Sequence, residues 1–99
     1  MITKRFFKTR DDVEVTFQID AHGAESAALV ADIHDWRPQP MTRSARGRGP
    51  FRLKLRVPRD GSIQFRYLLD GVRWENDDAA DAYWPNALGT DNSVVVFGG

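Results

Sequence analysis

Cysteine is absent from the 99 residues, which excludes a disulfide framework and a thiolate nucleophile. An excess of one charge is missing too: Lys plus Arg number 14, as do Asp plus Glu. No global field steers such a chain toward nucleic acid or an acidic membrane, so neutral ligands are the expected partners. His22 and His34 are the two histidines, too few for a zinc site that wants three or four ligands. No apolar run is long enough for a membrane-spanning helix, and Met1-Ile2-Thr3-Lys4-Arg5 opens no signal-peptide pattern; the expected address is cytoplasmic. Sustained helical periodicity is also lacking, with a single turn over Asp77 to Tyr83 as the one helical expectation.

What the chain does have is alternation. Val13, Val15, Phe17 and Ile19 alternate with Glu14, Thr16 and Gln18, while Phe51, Leu53, Leu55 and Val57 alternate with Arg52, Lys54 and Arg56. Ile63, Phe65, Tyr67 and Leu69 do the same against Ser62, Gln64, Arg66 and an exceptional Leu68. A period of two marks strands with one dry face and one wet face. Shorter strand candidates are Lys4 to Phe7, Ala27 to Ala31, Arg73 to Glu75 and Ser93 to Phe97, set off by Asp11-Asp12, His22-Gly23, Arg59-Asp60-Gly61 and Asp70-Gly71. About seven short strands predict one all-β domain over residues 1–99, an immunoglobulin-like antiparallel sandwich. Val13, Phe17, Leu53, Leu55, Phe65 and Tyr67 are expected in its core.

Several constellations lead nowhere chemically. Asp77, Asp78, Asp81 and Asp91 lack the spacing of a calcium loop and read as solvated or capping carboxylates, so no metal or cofactor is expected. Arg43, Arg46, Arg48 and Arg52 around Gly47 and Gly49 read as a charged hairpin loop rather than an RNA contact. Asp32 and Asp35 invite a glycosidase reading, but a sandwich this small offers no deep cleft.

The informative residues are spaced through the second two-thirds of the chain. Ala31-Asp32-Ile33-His34-Asp35-Trp36 is followed by Val57-Pro58 and Gly61, then by Phe65 to Gly71, Trp74 and Leu88-Gly89-Thr90-Asp91-Asn92. This pattern resembles carbohydrate-binding module family 48, the isoamylase N-terminal or early-set domains, which include the glycogen-binding domain of the AMP-activated kinase beta subunit. Arg73 to Asp77, Ala80 to Tyr83 and Pro85-Asn86 are most similar to the short bacterial members that stand without an attached enzyme. The resemblance implies a non-catalytic binder of α-1,4-linked glucans such as glycogen, starch or maltodextrins. In the family two tryptophans stack on sugar rings, a basic residue and an asparagine bind hydroxyls, and a leucine with a threonine shapes the contact. The matching positions are Trp36, Trp74, Arg66, Asn92, Leu88 and Thr90. The alternative is an early-set domain that binds a protein partner through its aromatics.

Ile33 stands where the family usually has Phe, and Val72-Arg73 places two residues before Trp74 where the kinase-type modules have one. A two-residue turn at Asp70-Gly71 pairs Tyr67 with Trp74 and sends the indole to the core. A three-residue loop pairs Leu68 with Trp74 and keeps the indole beside Arg66, since a slip of one residue inverts every side chain. Trp84 matches no aromatic position of the family and reads either as an added contact or as an exposed packing residue.

Overall fold

The computed structural model describes residues 1–7, 11–20, 23–44 and 48–97, with the side chains of Ser44 and Arg48 left aside. His22, Arg46 and Gly47 lie outside the described residues. The strands are β1 (Ile2–Phe6), β2 (Asp12–Ile19), β3 (Ala27–Ala31), β4 (Gln39–Pro40), β5 (Thr42–Ser44), β6 (Arg48–Pro58), β7 (Gly61–Leu69), β8 (Arg73–Glu75), β9 (Ala82–Pro85) and β10 (Asp91–Phe97). One sheet runs β1-β2-β6-β5; the other runs β4-β3-β7-β10-β9, with β8 also on β7. The fold is therefore an all-β antiparallel sandwich of the immunoglobulin-like kind.

Alternation builds the core directly. Val13, Val15, Phe17 and Ile19 of β2 and Ile63, Phe65, Tyr67 and Leu69 of β7 are all buried, and their even-numbered neighbours are not. Phe17 meets Phe65 edge to face at 4.8 Å between ring centroids, and Phe65 meets Tyr67 at 5.5 Å, which joins the two sheets through aromatic contacts. A polar clip closes one edge: Lys4 Nζ on β1 donates to Asp81 Oδ2 at 2.6 Å and to the Val96 carbonyl at 2.7 Å.

Four expectations change. Among the described residues ten strand segments replace about seven, because β4, β5 and β9 are too short to show alternation in sequence. Leu53 and Leu55 are only partly buried and pack against the core cluster, on a part of β6 that β5 does not pair. No helical turn forms over Asp77 to Tyr83; Ala82 and Tyr83 open β9 instead. Asp77 is not solvated but 2% exposed.

Burial of that carboxylate is made tolerable by its partners. Its Oδ2 accepts from Tyr67 Oη at 2.7 Å and from the Met1 amino group at 2.6 Å, while Oδ1 accepts from the Ala79 N–H at 2.8 Å. The Asp77 N–H donates to Ser93 Oγ at 2.9 Å, and Tyr83 Oη donates to the Asp77 carbonyl. Burial, then the neighbouring Asp77, push the Tyr67 phenol far above its ordinary range, so it stays a donor. Among the described residues no group of three His, Asp or Glu is gathered to hold a metal ion, and no helix is long and apolar enough to cross a membrane.

Replacing Asp77 by Ala leaves the buried Tyr67 hydroxyl without its acceptor. The variant should lose at least about 1–3 kcal/mol of unfolding free energy in urea titrations; a loss under half that figure contradicts the role given to this carboxylate.

Candidate functional site

Cross-strand partners share a face of a sheet, so the register fixes which side chains stand together. On the outer face of the second sheet, Val30 of β3 lies opposite Arg66 of β7, and Leu68 lies between Ala28 and Trp74. Asn92 of β10 faces Trp84 of β9, and Val94 lies between Gln64 and Ala82. Among these outward strand residues Arg66 is the one charge. The outer face of the first sheet differs, carrying Arg5, Glu14, Arg52, Lys54 and Arg56 in its rows.

Leu68 pairs with Trp74, which decides between the two turn readings in favour of the exposed indole. Both readings had part of the geometry. Asp70 and Gly71 take positive φ of 53° and 70°, and the Val72 N–H donates to the Leu69 carbonyl at 3.1 Å, as a tight two-residue turn demands. Val72 is then an extra residue, and pairing resumes at Leu69 with Arg73. That bulge turns Trp74 outward, where the Arg66 guanidinium carbon lies 5.2 Å from its ring centroid. The turn is anchored by Asp70, whose Oδ1 accepts from the Glu25 and Ser26 N–H groups at 2.8 and 3.0 Å. Those two bonds hold the Asp70 carboxyl below its ordinary range.

Trp36 is presented by a different device. Asp32–His34 form a 3-10 turn, after which Asp35 and Trp36 both take positive φ, 53° and 62°. A bulky residue there is strained, at a cost of order 1–3 kcal/mol. The Trp36 N–H closes on the Ala31 carbonyl at 2.9 Å, and Asp32 Oδ1 accepts from the Gln64 N–H at 3.2 Å, tying the turn to β7. Asp32 thus supports the turn rather than pairing with Asp35 for catalysis.

The third wall is the loop after β9. Asn86 Oδ1 accepts from the Leu88 N–H at 2.9 Å, and its Nδ2 donates to Thr90 Oγ1 at 2.8 Å and to Asn92 Oδ1 at 3.0 Å. Gly89 takes a φ of 82° that allows the loop to close. Leu88 is left 84% exposed, which no core role explains.

These walls enclose a depression of about 620 Å³ lined by Val30, Trp36, Arg66, Trp74, Asn86, Ala87, Leu88, Thr90 and Asn92. All six residues singled out from sequence converge there. Trp36 is 44% and Trp74 47% exposed, so neither is a core tryptophan. Asn92 is buried, its amide held between Asn86 and Gln64, which takes Nδ2 at 3.3 Å. The Arg66 Nε is buried without an acceptor among the described residues. Val30, Asn86 and Ala87 were not foreseen as lining residues; the Asn86 to Thr90 spacing, with Gly89 between, was the available signal of a side-chain-stapled loop.

With this geometry in view, the fold has a solved counterpart. The chain aligns with the enterobactin esterase FES from Shigella flexneri, solved in the presence of 2,3-dihydroxy-N-benzoyl-serine, at a TM-score of 0.73 and 11% sequence identity. The alignment covers 97% of this chain and 32% of that chain, so this chain spans about a third of the esterase's length. At that identity the likeness shows the fold alone. No protein-family model matches the sequence, and no curated protein matches it either.

Two tests follow from the turn. Deleting Val72 should restore a plain two-residue hairpin and swing Trp74 off Arg66, seen as a shift in tryptophan emission and loss of that indole's accessibility to acrylamide; unchanged quenching sinks the register argument. The Asp70 carboxyl titrates lower when folded than when unfolded, so its contribution is complete above about pH 4 and is lost as pH falls through the folded value. Asp70→Asn should accordingly flatten the acid limb of the stability profile, and a limb of unchanged slope would show that the turn does not depend on this charge.

Proposed function

We propose that the depression binds α-1,4-linked glucans without catalysis, as the resemblance to carbohydrate-binding module family 48 implies. The observation that carries this reading is the convergence of two exposed indoles with Arg66 on an otherwise uncharged, mostly apolar face. A hexose ring presents an apolar C–H face that a flat indole removes from water. Its vicinal hydroxyls match the donor fork of arginine and the mixed donor and acceptor of an amide. Arg66 supports this, since its guanidinium lines the depression beside the Trp74 ring. Among the described residues that line the depression there is no Asp, Glu or His, the groups suited to general acid–base work near neutral pH. At 11% identity the esterase match carries no activity over to this domain.

The second reading is a protein-binding early-set domain. It is favoured by the exposed Leu88 beside the tryptophans and by the place of this fold as about a third of a longer chain.

A shallow face with two stacking aromatics should bind maltoheptaose weakly, roughly 10 μM to 1 mM or about 4 to 7 kcal/mol. Trp36→Ala and Trp74→Ala should each remove about 1 to 3 kcal/mol of that binding. Their melting temperatures should stay near wild type, because truncating a core tryptophan instead takes about 3–5 kcal/mol from stability. Titration by tryptophan fluorescence or calorimetry measures the first, and thermal unfolding the second. If the wild-type chain binds neither maltoheptaose nor glycogen, the glucan reading is wrong and the protein-interface reading stands.

A further inference from the structure

Trp84 is the third exposed indole of the chain, at 41%, and lies outside the depression. Its register is what makes it informative. Trp84 stands directly opposite Asn92, and Asn92 belongs to the lining of the depression, so the indole leaves the sheet on the same face as Arg66. Between β9 and β7 lie two strand spacings, about 10 Å, which is more than one hexose ring spans.

The ground between is neutral and made of amides. Asn92 Nδ2 donates to Gln64 Oε1 at 3.3 Å and its Oδ1 accepts from Asn86 Nδ2 at 3.0 Å, so a chain of amides links the loop after β9 to β10 and β7. Val94, one row along, is fully buried although it too faces outward, and Trp84 is the largest side chain beside it in the register. A half-exposed indole on a strand face can keep one side against the sheet and turn the other to solvent, the arrangement of a stacking platform.

We infer that Trp84 is a further subsite, which takes sugar rings of a linear glucan beyond those held between Trp36 and Trp74 and so makes the protein select for chain length. This rests on the glucan reading of the depression. The occupant is a neutral oligosaccharide because the described strand residues paired around Trp84 on this face, Asn92, Gln64, Val94 and Ala82, carry no charge.

The experiment compares maltotriose with maltoheptaose on the wild-type chain, Trp84→Ala and Trp84→Leu, by calorimetry with thermal unfolding as the control. Leucine keeps a large apolar side chain at that position and removes the flat ring, so it serves if alanine unfolds the chain. The wild type should prefer maltoheptaose, and the variants should weaken maltoheptaose binding about fivefold or more while leaving maltotriose unchanged. Equal weakening of both sugars would reduce Trp84 to a support for Asn92, and no weakening of either would remove it from the site; each outcome overturns the subsite. A wild-type chain that binds both sugars equally also overturns it and leaves the glucan reading intact. Binding of neither sugar ends both.

Discussion

Everything on the outer face of the second sheet depends on the alternation of β7. This strand pairs with β3, β8 and β10, more neighbours than any other, and it sends Ile63, Phe65, Tyr67 and Leu69 inward. Losing a buried phenylalanine alone costs about 3–5 kcal/mol. The contact of Arg66 with Trp74 on the opposite face is worth about 0.5–1 kcal/mol at an exposed position. The register is therefore set by the core. The outer face inherits its arrangement, and Arg66 stands where it does because its two neighbours in sequence are buried.

The connections contribute what the strands cannot. Regular strands would present a flat outer sheet, and it is three irregular segments that raise walls around it: the strained Asp35-Trp36 turn, the bulge at Val72 and the loop stapled by Asn86. Each is tied by side-chain bonds to a strand or to the segment entering one, Asp32 to Gln64, Asp70 to Glu25 and Ser26 just before β3, Asn86 to Asn92. The strain of two consecutive positive φ values survives because those bonds and the strands beneath over-determine the turn. Side chains held in this way are preorganised, and preorganised side chains lose less entropy on any association.

Much of this was legible in the sequence for physical reasons that also mark where it stopped. A period of two is visible over eight or nine residues, so β2 and β7 and the inward set of each were readable. A strand of two to four residues has no period, and β4, β5 and β9 could not be read. The six matched site residues do share one depression, yet their spacing did not reveal that Asn92 is buried and held by two other amides. Nor did composition separate Asp77 from its solvated neighbours, because burial of a carboxylate is decided by partners as distant in sequence as Tyr67 and Met1. The turn before Trp74 was ambiguous because Asp70-Gly71 satisfies the tight turn while Val72 adds the bulge; the two choices differ by one residue and by the whole orientation of the indole.

Overall neutrality conceals a division between the two sheets. Charges of both signs alternate across the outer face of the first sheet, where Lys54 and Arg56 lie near Glu14 and Asp12 at 3.7 and 4.0 Å. Such exposed pairs are worth little in stability and serve to keep that face hydrated. The outer face of the second sheet gives up this protection, replacing charge with indoles, valines and amides around a single arginine. An apolar face of that kind is a liability for a free monomer unless something occupies it. Neutral amides and one delocalised cation suit an occupant that is itself uncharged and ringed with hydroxyls, whereas an ionic ligand would need compensating charge that this face does not hold. The distribution of charge between the sheets, rather than its sum, is thus the property of the whole chain that agrees with the geometry of the depression.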